Sequence, residues 1–336
     1  MPQTLSVWTP GSPCRRSLLR RVFGALSLLS LLPQAHAADI TNYAVDGGGM
    51  PRQYLLASPR AINGPRPLIL LLHGHLGTAA NALGGGRMPS PLSAWLGIVD
   101  RESVLVAALQ GLNGADKRTG WHDCRSDNSG NPQADDVAFA ERVVQQQVSA
   151  GRADPKRIYV MGMSNGGMMA YRLALEMRPA PVAIAAVSSS MARASSCRGP
   201  SAKVSVLLIN GTGDPIVPFG GGNVGLFGRS TGGVIGAEAT RDFWLKVNGL
   251  SSAQASASAV RTSAESDGDT TASRTFYGPS RGPQVEMVTI RGGGHVEPSL
   301  RYHIGWGYRQ LVGKQNKDFE SAEEAWAFFK DKSAGP

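Results

Sequence analysis

Residues 157–177 read RIYVMGMSNGGMMAYRLALEM. A β-branched and aromatic run, RIYVM, opens the stretch and a helix-forming run closes it. Between them Gly162-Met163-Ser164-Asn165-Gly166 matches G-x-S-x-G. The pattern alone is common by chance, but its setting between a strand and a helix is specific. Such a turn is strained, and its glycines are needed because other backbone packs close to it. It lifts the Ser164 hydroxyl clear of a sheet and points a helix N-terminus at negative charge developing beside it. Ser164 is the candidate nucleophile. The plain alternative is a glycine-rich turn with a capping serine.

A serine hydroxyl needs a base, and the base needs an orienting acid. Where a strand–turn–helix presents the serine, the chain order is Ser, acid, His. Only His295 and His303 follow Ser164. His295 ends Gly292-Gly293-Gly294-His295, a loop just past a predicted strand at 284–290, whereas His303 lies in a polar stretch and reads as a surface or packing residue. Between serine and base stand Asp214, Asp242, Asp267 and Asp269. Asp214 follows the apolar run VSVLLIN (204–210), and catalytic groups gather at the carboxyl ends of strands in open α/β sheets. Asp242 reads as a solvated helix residue, and Asp267 and Asp269 fall in a low-complexity stretch. The expected triad is Ser164, Asp214 and His295.

Further strands are predicted at 40–45, 53–58, 67–72, 104–109 and 182–187. Helices are predicted at 90–99, from 135 to about 150, and at 165–177, 237–247 and 321–330. Continuous apolar runs such as PLILLL (67–72) suit strands buried on both faces. Strands alternating with helices predict a mostly parallel sheet with helices on both faces. Residues 219–236 (Gly-rich) and 251–280 (Ser-, Ala- and Thr-rich) break the alternation and read as surface insertions in a single domain spanning 38–336.

An oxyanion hole needs two backbone donors. The Asn165 N–H, directly after the nucleophile, is one, and the His75 N–H in the loop after PLILLL is the other; His73 reads as a structural histidine. No zinc motif, Walker loop or dinucleotide fingerprint is present, so neither a metal nor a cofactor is expected.

Residues 1–37 read as a secretory signal. Arg15, Arg16, Arg20 and Arg21 precede a short apolar run, and Ala35-His36-Ala37 offers a cleavage site after Ala37. Arg20-Arg21-Val22-Phe23 also resembles a twin-arginine signal, which leaves the export route open. Removing four arginines and no acid lowers the formal charge from +9 to +5. The remaining charges are interspersed, which argues against nucleic-acid binding. The expected location is periplasmic or extracellular, with no membrane association after cleavage. Of three cysteines the leader removes Cys14; Cys124 and Cys197 remain, either as one disulfide or as two buried thiols.

From residue 67 onward the chain resembles the polyhydroxybutyrate depolymerase and feruloyl esterase group of α/β-hydrolases. The resemblance rests on LLLHG (70–74), Gly120-Trp121, DDVAF (135–139), GMSNGGMMAYRLA (162–174), GTGDPIVPF (211–219) and GGGH (292–295). It implies the α/β-hydrolase fold and ester hydrolysis through an acyl-enzyme, without a cofactor, by Ser164, Asp214 and His295. It suggests that Trp121 walls the substrate cleft, core packing being the alternative, and Asp135 and Asp136 read as structural. Members of the group often carry Trp-Pro-Gly two residues beyond the catalytic histidine. Here the stretch is His295-Val296-Glu297-Pro298-Ser299, so a carboxylate, Glu297, stands where an aromatic would contact substrate.

The expected activity is carboxylic ester hydrolysis, first on hydroxyalkanoate esters or oligomers. Feruloyl, acetyl xylan and aromatic polyester esterases are the alternatives. A serine peptidase, an acyltransferase and a non-catalytic polymer-binding protein are more distant ones. The oligomeric state is left open.

Overall fold

The computed structural model describes residues 38–85, 90–225, 229–259, 269–279 and 281–335. The signal sequence expected at 1–37 lies outside them. The strands are β1 (Asp39–Asp46), β2 (Pro51–Ser58), β3 (Arg66–Leu72), β4 (Leu105–Leu109), β5 (Leu112–Asn113), β6 (Thr119–Gly120), β7 (Ala153–Met163), β8 (Ala183–Val187), β9 (Ser205–Gly211), β10 (Gly221–Asn223), β11 (Gly233–Ile235), β12 (Ser256–Ala259), β13 (Thr271–Tyr277) and β14 (Val285–Arg291). The helices are α1 (Ala79–Ala82), α2 (Trp95–Glu102), α3 (Asp136–Ser149), α4 (Asn165–Glu176), α5 (Ala237–Asn248), α6 (Trp306–Val312) and α7 (Ser321–Phe329).

Ten strands form one sheet in the order β1-β2-β4-β3-β7-β8-β9-β14-β13-β12. The six central strands run parallel, from β4 to β14. Antiparallel strands flank them on both sides. Alternation along β3 explains the layers. Leu68, Leu70 and Leu72 face a core with Phe139 and Val143 of α3, Leu173 of α4 and Trp244 of α5. Ile69 and Leu71 face the opposite core with Trp95 of α2 and Phe329 of α7. The Phe329 ring stacks on Tyr159 at 4.9 Å between centroids, so α7 covers the middle of the sheet. This is the α/β-hydrolase arrangement that the motifs predicted.

From β3 the chain crosses one way to β4 and then the other way to β7, so the winding reverses between the adjacent strands β3 and β7. Open parallel sheets open a crevice at the carboxyl ends of such strands. His73-Gly74 leaves β3 there and Ser164 leaves β7.

Both presumed insertions prove to be structural. Residues 251–280 supply β12 and β13, which extend the sheet beyond β14. An antiparallel strand that is not buried on both faces needs no continuous apolar run, and Thr271–Tyr277, next to the edge strand β12, is mostly half-buried or exposed, so its Ser, Thr and Arg content masked it. Within 219–236, β10 and β11 form a ribbon whose Val224 and Val234 pack with Val217 and with Met168 of the nucleophile helix. Helix α6 was not anticipated at all. Among the described residues no helix is long and apolar enough to cross a membrane.

Candidate active site

Ser164 sits between β7 and α4 with φ 55° and ψ −121°. A non-glycine residue in this region is strained by roughly 1–3 kcal/mol and is held there by its surroundings. The glycines of the turn carry that constraint. A Cβ on Gly162 would lie 2.1 Å from the Gly166 carbonyl oxygen, and one on Gly166 would lie 2.4 Å from the carbonyl oxygens of both Leu72 and His73. No side chain fits where backbone packs this closely. The Ser164 N–H donates to Val187 O at 2.8 Å, which ties the turn to β8.

The expected base and acid converge on this serine. His295 Nε2 is 2.9 Å from Ser164 Oγ. His295 Nδ1 is 2.8 Å from Asp214 Oδ2. The other Asp214 oxygen accepts the N–H groups of Ile216 and Val217, each at 2.8 Å. All three side chains are buried. The GGGH loop is packed by backbone: Gly213 N–H donates to Gly293 O at 2.8 Å, Gly294 N–H to Lys314 O at 2.7 Å, and His295 N–H to Val312 O at 2.6 Å. A Cβ on Gly294 would lie 2.1 Å from Val312 O. The end of α6 therefore holds the His295 backbone in place. His303 is exposed, and Asp242 pairs with Arg241 on the surface of α5. Asp269 pairs with Arg309 and Lys314, and Asp267 lies outside the described residues.

The loop after β3 also comes close to Ser164; a Cβ on Gly74 would be 3.5 Å from Ser164 Cβ. The Asn165 N–H lies in the first turn of α4, where helix N–H groups have no intrahelical acceptor. The His75 imidazole pairs with Asp116 at 3.1 Å, and burial lowers its pKa. His73 is structural: its Nε2 accepts the Gly111 N–H at 3.0 Å, so its Nδ1 carries the proton toward Gly74 O at 2.8 Å. Burial pushes its pKa down to about 4.

One expected substrate residue, Trp121, requires correction. Trp121 is fully buried and does not wall an open cleft. Its indole N–H donates to His73 O at 2.7 Å and its ring packs on the His73 imidazole at 4.9 Å, so it braces the loop after β3 from within. Glu297 is buried to the same degree as Ser164, Asp214 and His295. Burial raises its pKa, and the nearby His295 opposes that shift. Asp135 caps α3 by accepting the Ala138 N–H. Asp136 pairs with the buried Arg52 at 2.8 Å and accepts the His122 N–H at 2.7 Å; both are structural, as expected. Cys124 and Cys197 form a disulfide with Cα atoms 5.2 Å apart. A surface cavity of about 550 Å³ is lined by His122, Asp135, Arg172, Arg178 and others and includes no residue of the Ser–His–Asp set.

Comparison with known proteins agrees with this architecture. Residues 61–225 match the family described as Phospholipase/Carboxylesterase. The chain is 30% identical over 306 residues to NocK of Nocardia uniformis subsp. tsuyamanensis, a protein that carries an esterase name; the match covers 88% of this chain and 84% of that one. It is 29% identical over 175 residues to feruloyl esterase C of Emericella nidulans, covering 51% of this chain and 58% of that one. An acetyl xylan esterase from Aspergillus awamori superposes with a TM-score of 0.50 at 14% identity, over 80% of this chain and 98% of that one, which speaks to the fold. The chain belongs to the esterases of the α/β-hydrolase superfamily and is a carboxylic ester hydrolase.

Proposed function

We propose that the enzyme is exported and hydrolyses esters of hydroxy acids, hydroxyalkanoate esters and short oligoesters first, through an acyl-enzyme on Ser164. The observation that carries this reading is the contact chain Ser164 Oγ–His295–Asp214, at 2.9 and 2.8 Å. His295 Nε2 takes the Ser164 proton as Oγ attacks the ester carbonyl carbon. The Asn165 and His75 N–H groups stabilise the oxyanion. The intermediate collapses, and the leaving alcohol takes the proton from Nε2. Water then gives a proton to Nε2 as it attacks the acyl-enzyme, and that proton returns to Ser164 as the acid departs. Asp214 keeps Nδ1 protonated and stabilises the imidazolium. The leader composition and the Cys124–Cys197 disulfide support an oxidising compartment.

The hydroxyalkanoate reading rests on the motif set from LLLHG to GGGH. A hydroxycinnamoyl ester is the second reading, favoured by the likeness to feruloyl esterase C. Trp306 and Tyr308 are exposed on α6, the helix whose last residue, Val312, accepts the His295 N–H, and exposed aromatic surface on that helix suits an aromatic acyl group. The test is hydrolysis of hydroxybutyrate oligomers, methyl ferulate, acetylated xylan, an aromatic polyester and a peptide by wild type and Ser164→Ala. Turnover of hydroxybutyrate oligomers above methyl ferulate, abolished in the variant, is the expected result. Preference for methyl ferulate moves the assignment to the second reading. Retained activity in folded Ser164→Ala overturns the mechanism.

A further inference from the structure

The side chain of Asn165 is as constrained as its backbone. Its Oδ1 accepts the Trp121 N–H at 2.8 Å. Its Nδ2 donates to Trp121 O at 3.2 Å and to Asp123 Oδ2 at 2.7 Å. Asp123 is fully buried and cannot turn away. The guanidinium of Arg125 grips both its oxygens, Nη2 on Oδ2 at 2.6 Å and Nε on Oδ1 at 3.0 Å, and the Arg125 N–H adds 2.9 Å to Oδ1. Arg125 Nη1 in turn donates to Thr231 O at 2.5 Å, in the loop before β11. Between Asp123 and Arg125 stands Cys124, covalently joined to Cys197. Around that joint Ser126 N–H donates to Ala194 O and Ser196 N–H to Cys124 O, each at 2.9 Å.

We propose that Asp123 is a positioning residue for the oxyanion hole, acting through the Asn165 side chain to fix the direction of the Asn165 N–H. The proposal rests on the reading that this N–H stabilises the oxyanion. A peptide N–H can swing only if its residue rotates. At Asn165 rotation would break three hydrogen bonds in a dry site, one of them to a carboxylate and therefore strong. A donor that is already aimed needs no reorganisation when charge develops, whereas a displacement of ~1 Å can slow a reaction on the order of a hundredfold. Residues 121–125 thus form a brace, tied to the chain covalently at Cys124 and electrostatically at Arg125, that ends on the residue after the nucleophile.

The experiment compares wild type, Asp123→Ala and Asp123→Asn by pre-steady-state hydrolysis of p-nitrophenyl acetate. The burst amplitude counts folded, acylating sites, so the acylation rate constant is read per site. Both variants remove the carboxylate charge that pairs with Arg125; Asp123→Asn keeps one oxygen, the kind that Asn165 Nδ2 and Arg125 Nη2 share in the wild type, and Asp123→Ala keeps none. The expected result is about a 10- to 100-fold fall in per-site acylation for Asp123→Ala, KM within about threefold of wild type, and at least about fivefold recovery in Asp123→Asn. A role confined to folding would lower the burst amplitude and leave the per-site rate within about twofold of wild type, which overturns the proposal. Asp123→Asn no faster than Asp123→Ala also overturns it. If Asp123→Ala yields no folded protein, Asn165→Ala, which keeps the N–H but removes the clamp, is held to the same rate and KM criteria. Ser164→Ala is run alongside: a burst there refutes the nucleophile itself, whereas no burst there with an unaffected Asp123→Ala refutes only the brace.

Discussion

His295 Nδ1 stands 2.8 Å from Asp214 Oδ2, while Oδ1 of the same carboxylate accepts two backbone N–H groups from the turn that follows it. The carboxylate is therefore anchored at one oxygen and aims the other at the base. Asp214→Asn should leave the fold intact, because the amide oxygen can still accept the Ile216 and Val217 N–H groups. It should then present an NH₂ to Nδ1, favouring the tautomer with the proton on Nε2, which cannot take the Ser164 proton. We expect kcat to fall on the order of 10³- to 10⁴-fold, with KM little changed. Steady-state kinetics on a p-nitrophenyl ester, with circular dichroism to verify folding, checks this; a fall under about tenfold would show that Asp214 does not orient the base.

Glu297 is buried two residues after His295, and burial raises its pKa. An acid whose folded pKa lies above its unfolded one loses stability as pH rises through that interval, because the unfolded chain ionises more readily. Glu297→Gln should therefore gain stability relative to wild type at pH 8 and gain less at pH 4.5. Thermal unfolding of both proteins at the two pH values measures it. An equal difference at both would mean that the carboxyl is not held toward its neutral form.

His73 titrates with the opposite sense. Its folded pKa, pushed down to about 4 from 6.5, places its contribution fully above pH 6.5 and removes it as pH falls through the folded value. The neutral ring accepts the Gly111 N–H and cannot do so once protonated. The stability gap between wild type and His73→Gln should shrink by on the order of 3 kcal/mol between pH 7.5 and pH 4. Urea unfolding at a series of pH values reads this directly; a constant gap would refute it.

Cys124 and Cys197 close a loop with a sequence separation of 73. On the chain-entropy account this stabilises by up to about 4 kcal/mol. Cys124→Ser/Cys197→Ser should lower the urea midpoint accordingly, and unreduced, unfolded wild type should show no thiol from this pair by Ellman titration. Two titratable thiols from Cys124 and Cys197 would disprove the bond.

The apolar run at 67–72, the strand–turn–helix around Ser164 and the Gly-Gly-Gly before His295 were readable along the chain. Each is a local constraint: a strand buried on both faces must be apolar throughout, and a turn pressed against backbone must be glycine. The order of serine, acid and base followed for the same reason, since each candidate sat just past an apolar run. The outer strands β12 and β13 were not readable, because partial burial leaves no continuous hydrophobic signal. Nor was the place of Trp121 and Glu297. A tryptophan can pack inward or line a cleft with the same sequence around it, and only the position of His73 across the sheet decided that Trp121 turns inward. A carboxylate near a base can face water or protein, and the surrounding segments decided that Glu297 is enclosed. The bonds from Asn165 to Trp121 and Asp123 span more than forty residues. Pairings of that range leave no periodicity or spacing in the chain; they exist only once the sheet has brought β6 and α4 to the same crevice. The sequence by itself determined which residues could do the chemistry, because reactivity and turn geometry reside in residue type. Tertiary structure alone decided which neighbours hold those residues in place, because that depends on what the fold packs against them.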